Sequence, residues 1–260
     1  MVVCYAIPSY NRPDGIYKKT LTILKEYNIP AKDITIFLHS KEEKESYESI
    51  IPKDMYGKMV VHGLPLGIKG VRNFITDYYP LDTEYVSLDD DVTGIKMPNA
   101  GKLVDIPNLK DLVKEGFQLC KKNGLTLWGL YPVCNAFFMK GKPYTTDLRF
   151  IVGGFMGIIN KKRHVTLNLK VDYDYTLMCY KKDKGVLRFN TICVKHNMYS
   201  KKGGIGKDQK ERLNDYKKAS SELVKKYPEY VHLNPNKEGE IILKDTTMRP
   251  KNKTLKKKQK

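Results

Sequence analysis

Four short apolar runs, separated by stretches with helical spacing, constrain this chain more than any other feature. They are residues 2–7 (VVCYAI), 34–39 (ITIFLH), 59–62 (MVVH) and 85–88 (YVSL). An apolar run without polar alternation is the pattern of a strand buried on both faces. Between the runs, residues 15–27 place Ile16, Thr20, Ile23, Leu24 and Tyr27 at helical intervals. Residues 41–51 read as a charged helix, and 67–79 as one carrying Val71, Ile75 and Tyr78. Strands alternating with helices predict parallel βαβ units and an α/β fold built on an open twisted sheet.

After residue 91 the spacing predicts a loop over 98–105, a helix over 108–123 and a strand over 126–133. Residues 134–150 show no period, and 151–160 (FIVGGFMGII) are apolar with a glycine pair. A helix over 171–184, a strand over 186–196 and a long charged helix over 207–227 follow. From Arg249 to Lys260 there are seven basic residues and no acidic one, the composition of a disordered tail. A chain of 260 residues can close one sizeable core.

Lysine and arginine number 47 against 29 acidic residues, a net charge of +18. Such a field draws polyanions, and DNA is the partner it favours. A lysine-rich solvated surface is the plainer alternative. The five cysteines (Cys4, Cys120, Cys134, Cys179, Cys193) are odd in number and form no CxxC pair, which predicts buried thiols in a reducing compartment. No apolar run is long enough to span a bilayer, and the N-terminus lacks a basic leader, so a cytoplasmic location is expected.

The sharpest motif is YVSLDDDV. Three consecutive carboxylates at the end of a buried strand repel one another unless a cation gathers them. Hard Mg²⁺ or Mn²⁺ prefers such oxygen ligands. In open α/β sheets ligands bind beyond the carboxyl ends of the strands. Side-chain alternation puts Asp89 and Asp91 on one side and Asp90 on the other, which makes Asp89 and Asp91 the candidate metal ligands. An exposed acidic turn or a cap is the bland alternative. Two-metal nucleases and polymerases also use strand-end carboxylates. The phosphate loop GxxxxGK[ST] is missing.

The order AIPSYNR, LGIKGVRN, LDDD, an acidic pair and a late histidine resembles the GT-A glycosyltransferases. More narrowly, PSYNR with RN and LDDD is similar to the TET-associated glycosyltransferases of viruses, phages and kinetoplastids, which include the base J glucosyltransferase. The resemblance covers roughly residues 2–200. It implies a GT-A-like domain over 1–245, with a nucleotide-sugar half at 1–97, an acceptor half at 98–245, and the basic tail at 246–260. It also implies a metal-dependent transfer from a nucleotide sugar, foremost a UDP-sugar, to a hydroxymethylated pyrimidine in DNA.

Carried over by residue, Pro8, Ser9, Asn11 and Arg12 would form the donor loop, and Lys69, Arg72 and Asn73 would approach the ribose or diphosphate. Arginine suits a diphosphate because its planar fork bonds two oxygens. Asp90 would meet the ribose or back the metal ligands, and His196 would be a third metal ligand. Gly153 and Gly154 would admit the sugar or acceptor. Asp172 and Asp174 are the candidate bases, Asp174 slightly favoured; either is equally suited to cap the helix. The basic loop 200–206 would close over the diphosphate. A glycan-building transferase and a non-enzymatic nucleic-acid-binding module are the competing readings.

Overall fold

The structure is a computed structural model, and it describes residues 3–196 and 209–244. Loop 200–206 and the tail 246–260 lie outside the described residues.

Strands β1 (Cys4–Pro8), β2 (Ile34–Leu38), β3 (Lys58–Val61) and β4 (Glu84–Leu88) pair in parallel in the order β3-β2-β1-β4. The crossovers are helical: α1 (Pro13–Ile16), a π-helical turn (Tyr17–Leu21) and α2 (Thr22–Glu26); α3 (Lys41–Ile50); and α4 (Ile68–Tyr78). All five residues of β2 and of β4 are buried, the polar Thr35, Glu84 and Ser87 included.

Past β4 the sheet turns mixed. A hairpin, β5 (Val92–Asn99) and β6 (Lys102–Asp105), occupies the stretch expected to be a loop. Pro98 and the Ala100–Gly101 turn read as loop composition, but Pro98 sits on a strand whose partner β6 is largely exposed, where a missing N–H is tolerated. Helix α5 (Leu109–Lys122) is capped by Asn108, whose side chain accepts from the Lys110 and Asp111 amides. β7 (Leu127–Tyr131), the two-residue β8 (Tyr144–Thr145), β9 (Phe155–Ile159), α6 (Val171–Asp183) and β10 (Leu187–His196) follow. The sheet runs β3-β2-β1-β4-β9-β7-β10-β5-β6, with β8 on β10. Helix α7 (Gln209–Lys226) and a separate hairpin, β11 (Val231–Leu233) with β12 (Ile241–Leu243), close the chain.

Trp128 is fully buried at the centre of the sheet's second half, edge-on to Phe117 and Phe189. A Cβ at Gly157 on the neighbouring strand would lie 1.9 Å from the indole, so that position admits only glycine. The antiparallel β9 enters between β4 and β7 with Leu88 opposite Phe155 and Gly129 opposite Met156. The carboxyl ends of β4 and β7 and the start of β9 therefore share one edge. β10, parallel to β7 with Cys193 opposite Tyr131, ends there too.

Cys134 and Cys193 are joined by a disulfide with their Cα atoms 5.4 Å apart, against the expectation of five thiols. The β7–β10 register brings them together across 59 residues, a pairing with no trace in local spacing. Cys120 and Cys179 are buried thiols as expected, and Cys4 is partly exposed. Among the described residues, no helix is long and apolar enough to cross a membrane.

Candidate active site

The acidic triplet turns at the end of β4, with Asp89 and Asp91 brought together and Asp90 directed elsewhere. One carboxylate oxygen each from Asp89 and Asp91 and one ring nitrogen of His196 lie within 4.8 Å of one another. Two oxygens and an imidazole nitrogen at that spacing match the ligand preferences of Mn²⁺ or Mg²⁺. Burial, then the charge of Asp89, raises the carboxyl of Asp91, while His196 and Lys19 oppose the rise. A cation at the cluster would relieve that repulsion. Gly154, just before β9, leaves room beside the cluster: a Cβ there would sit 3.1 Å from His196 Nδ1 and 3.6 Å from Asp89 Oδ2.

Asp90 faces the other way and is buried. Its Oδ2 accepts from Ser9 Oγ at 2.6 Å and its Oδ1 from Arg12 at 3.2 Å. Burial pushes its carboxyl up to about 6, opposed by the Ser9 hydrogen bond and the Arg12 charge and reinforced by Asp89 and Asp91. Ser9 gives its only proton to Asp90, so the Tyr47 O–H, 2.7 Å away, donates to Ser9 Oγ. Tyr47 Oη in turn accepts from the Arg12 amide at 2.9 Å. One helical turn earlier on α3, Glu43 accepts from the Asn11 amide at 2.6 Å and the His39 amide at 2.7 Å. α3 thus ties down the loops after β1 and β2. Sequence reasoning missed both residues; the usable signal was the Ser40–Glu43 capping spacing, since Ser40 Oγ accepts from the Glu43 amide at 3.2 Å.

Thr20 was legible only as a helix position. It is fully buried on the π-helical turn, donates to the Asp89 carbonyl at 2.8 Å and accepts from the Val92 amide at 3.0 Å. It brackets the acidic turn from both ends. π-turns inside helices recur at functional sites because they displace one side chain from the regular register.

The donor-side assignments divide. Pro8, Ser9, Arg12, Asp89, Asp90 and Asp91 line one cleft of about 470 Å³. Asn11 is at its margin, with φ 51° and its amide on Glu43. Arg72 lies under the acidic turn: it donates to Asp89 Oδ1 at 3.2 Å, Ser87 Oγ at 3.0 Å and the Gly153 carbonyl at 3.1 Å. Asn73 spends both ends of its amide on the Val165 backbone. Lys69 reaches the Thr166 carbonyl and lines a second groove of about 870 Å³, which meets the first at Leu66, Gly67 and Tyr216.

The cleft also holds residues that sequence reasoning did not single out. Tyr10, His39 and His62 line it, with ring centroids 6.0 Å and 5.7 Å apart in succession. His39 Nδ1 is buried without a hydrogen-bond partner. Burial, with His39 beside it, lowers the His62 imidazole below its usual value, and the Leu64 amide donates to its Nδ1 at 3.1 Å. The neutral ring therefore carries its proton on Nε2. His39 and His62 stand apart from the motifs in sequence, and Tyr10, inside PSYNR, carries no local sign that its ring faces the cleft.

The two candidate bases part company. Asp172, at the start of α6, accepts from the Tyr173 amide at 3.0 Å and from the Gly153 amide at 3.4 Å, beside Arg72 and Asp89. Burial raises its carboxyl, and Arg72 opposes the rise. Asp174 is fully buried on the far side of α6. It accepts from Lys226 at 2.7 Å, Tyr227 Oη at 2.9 Å and the Thr166 amide at 2.7 Å. Those donors hold its carboxyl below the usual range despite burial. Asp174 welds α7 to the domain and is not brought to the cluster.

Neither a protein-family model nor a curated protein sequence matches the chain. Solved structures do. S. aureus TarS aligns at a TM-score of 0.53 with 12% identity, over 86% of this chain and 40% of that one. TarS 1–349 in complex with UDP aligns at 0.52 with 12% identity, over 86% of this chain and 66% of that one. The chain thus spans less than two thirds of the length of either. At this identity the likeness concerns architecture: this chain has a GT-A-like α/β fold, with its acidic triplet at the carboxyl end of β4.

Proposed function

We propose that the chain is a metal-dependent glycosyltransferase that moves a sugar from a nucleotide sugar, foremost a UDP-sugar, to a hydroxymethylated pyrimidine in DNA. The observation that carries the enzyme reading is the convergence of Asp89, Asp91 and His196 at the mouth of an aromatic-walled cleft. The GT-A-like fold, shared with a protein solved in complex with UDP, supports the donor class. The DNA acceptor is supported by the net charge of +18.

In this reading residues 1–97 hold the donor and 98–245 the acceptor. Tyr10, His39 and His62 receive the nucleobase, and Asp89, Asp91 and His196 hold Mn²⁺ or Mg²⁺. When bound, the ion neutralises the charge that develops on the departing diphosphate, an effect worth several kcal/mol. Arg72 keeps Asp89 aimed at the ion, and Arg12 with Ser9 fixes Asp90 behind it. Asp172, held beside Arg72 by the Tyr173 and Gly153 amides, accepts the acceptor hydroxyl's proton. The freed oxygen forms its bond to the anomeric carbon as the carbon–oxygen bond to the diphosphate breaks and its electron pair leaves with the phosphate.

The test is a panel of nucleotide sugars, each offered with hydroxymethylated and unmodified DNA and read by mass spectrometry. A mass gain on hydroxymethylated DNA, dependent on Mn²⁺ and lost in Asp91→Ala, is expected. Donor hydrolysis with no DNA product refutes the acceptor and leaves a glycan-building transferase. No donor turnover at all refutes the enzyme reading.

A further inference from the structure

We propose that the loop between β7 and β8 is a grip for single-stranded nucleic acid, with Phe137 and Phe138 as its base-stacking platform. The proposal rests on the DNA-acceptor reading and specifies which surface holds the strand and in what form.

Phe137 is 68% exposed and Phe138 57%, and Val133 beside them is 53% exposed. Exposed apolar side chains usually reflect a loose loop, but this one is built. Cys134 is bonded to Cys193. The Asn135 side chain accepts from the Phe137 amide at 3.0 Å, and the Asn135 carbonyl accepts from the Phe138 amide at 3.0 Å. Met139 is buried as an anchor. The two rings are therefore held out in water, edge to face at 5.1 Å, by a loop pinned on both sides of them. Ordered, unpaired aromatic surface signals an occupant.

Charge and place identify the occupant. Lys140 Nζ lies 4.7 Å over the Phe137 ring, and the chain that follows lines an open groove of about 750 Å³ with Lys142, Tyr144, Thr145 and Arg149, the last paired with Asp147 of the same groove at 2.7 Å. Rings interleaved with cations suit unpaired bases and their phosphates, since every base offers a face to stack while the backbone follows the positive groove. The loop leaves the sheet at Tyr131, beside Cys193, three residues before His196. The loop therefore rises from the same edge of the sheet as the end of β10 that carries His196. An anionic membrane also favours rings and lysines, but its contact would cover the sheet edge where donor and acceptor must meet. A duplex offers its bases only after one is flipped out, so the platform favours unpaired substrate.

The experiment is fluorescence anisotropy of a labelled 20-nucleotide single strand with the full chain, without donor or metal, compared with the matching duplex and with phosphatidylserine vesicles. Stacking on two rings predicts that Phe137→Ala/Phe138→Ala weakens single-strand binding about 10- to 100-fold. The steep salt dependence and the Mn²⁺ affinity should stay as in the wild type, because the lysines and the cluster are untouched. Lys140→Gln should weaken binding and flatten the salt dependence. Both aromatic side chains are exposed, so circular dichroism and melting temperature should not move. Single-strand affinity unchanged in the double variant overturns the proposal, as does loss of vesicle binding alone. Ring-dependent strand binding by a protein that turns over no nucleotide sugar would leave this surface standing and sink the enzyme reading.

Discussion

Asp90→Asn should stabilise the metal-free protein at neutral pH and flatten its acid-side stability profile. Asp90 is buried against Ser9 and Arg12, with Asp89 and Asp91 as neighbours, and its carboxyl is raised from 3.8 to about 6. Holding it ionised therefore costs the folded state about 3 kcal/mol at pH 7. Between those two values the native state binds a proton that the unfolded chain has released. The stability that Asp90 contributes is thus fully present below pH 4 and lost as pH rises through 6. Asparagine is neutral throughout and keeps an oxygen for Ser9, but gives up the Arg12 pair. The Arg12 charge already opposes the rise to about 6, so its loss takes nothing further from that figure. Urea unfolding in EDTA at steps from pH 4 to 7 measures the difference. The wild type should lose about 3 kcal/mol relative to the variant across that range, so the two match near pH 4 and the variant is the more stable by about 3 kcal/mol at pH 7. Parallel pH profiles would refute the claim that burial confines this charge.

Two further substitutions separate chemistry from architecture. Asp172→Asn should abolish transfer while leaving Mn²⁺ affinity and melting temperature near the wild type; Asp174→Asn should cost about 3 kcal/mol of stability through its stranded Lys226 and Tyr227 partners and spare turnover at low temperature, both checked by calorimetry beside activity. Thr20→Val strands the Asp89 carbonyl and the Val92 amide, so Mn²⁺ affinity by titration calorimetry should drop about 10-fold, with Thr20→Ser restoring it.

The sequence determined the parallel half of the sheet. Short apolar runs alternating with helical stretches read as strands of a βαβ sheet, so β1, β2, β3 and β4 stand where composition placed them, with β3 partly exposed at the sheet's edge. It also marked the acidic triplet, because three adjacent carboxylates are costly anywhere but beside positive charge, and one cluster of polar ligands forms there. Partner choice was not legible. Asp172 and Asp174 occupy the same helical start two residues apart. Which one faces the cluster follows from the side of α6 that meets Gly153 and the side that meets Lys226, 52 residues further on. Tyr47, Glu43, Thr20 and the Cys134–Cys193 bond all act across strand registers and helix packings set by the whole core. Side-chain period is a local property of the chain, whereas the approach of two distant side chains is fixed only when sheet order is fixed.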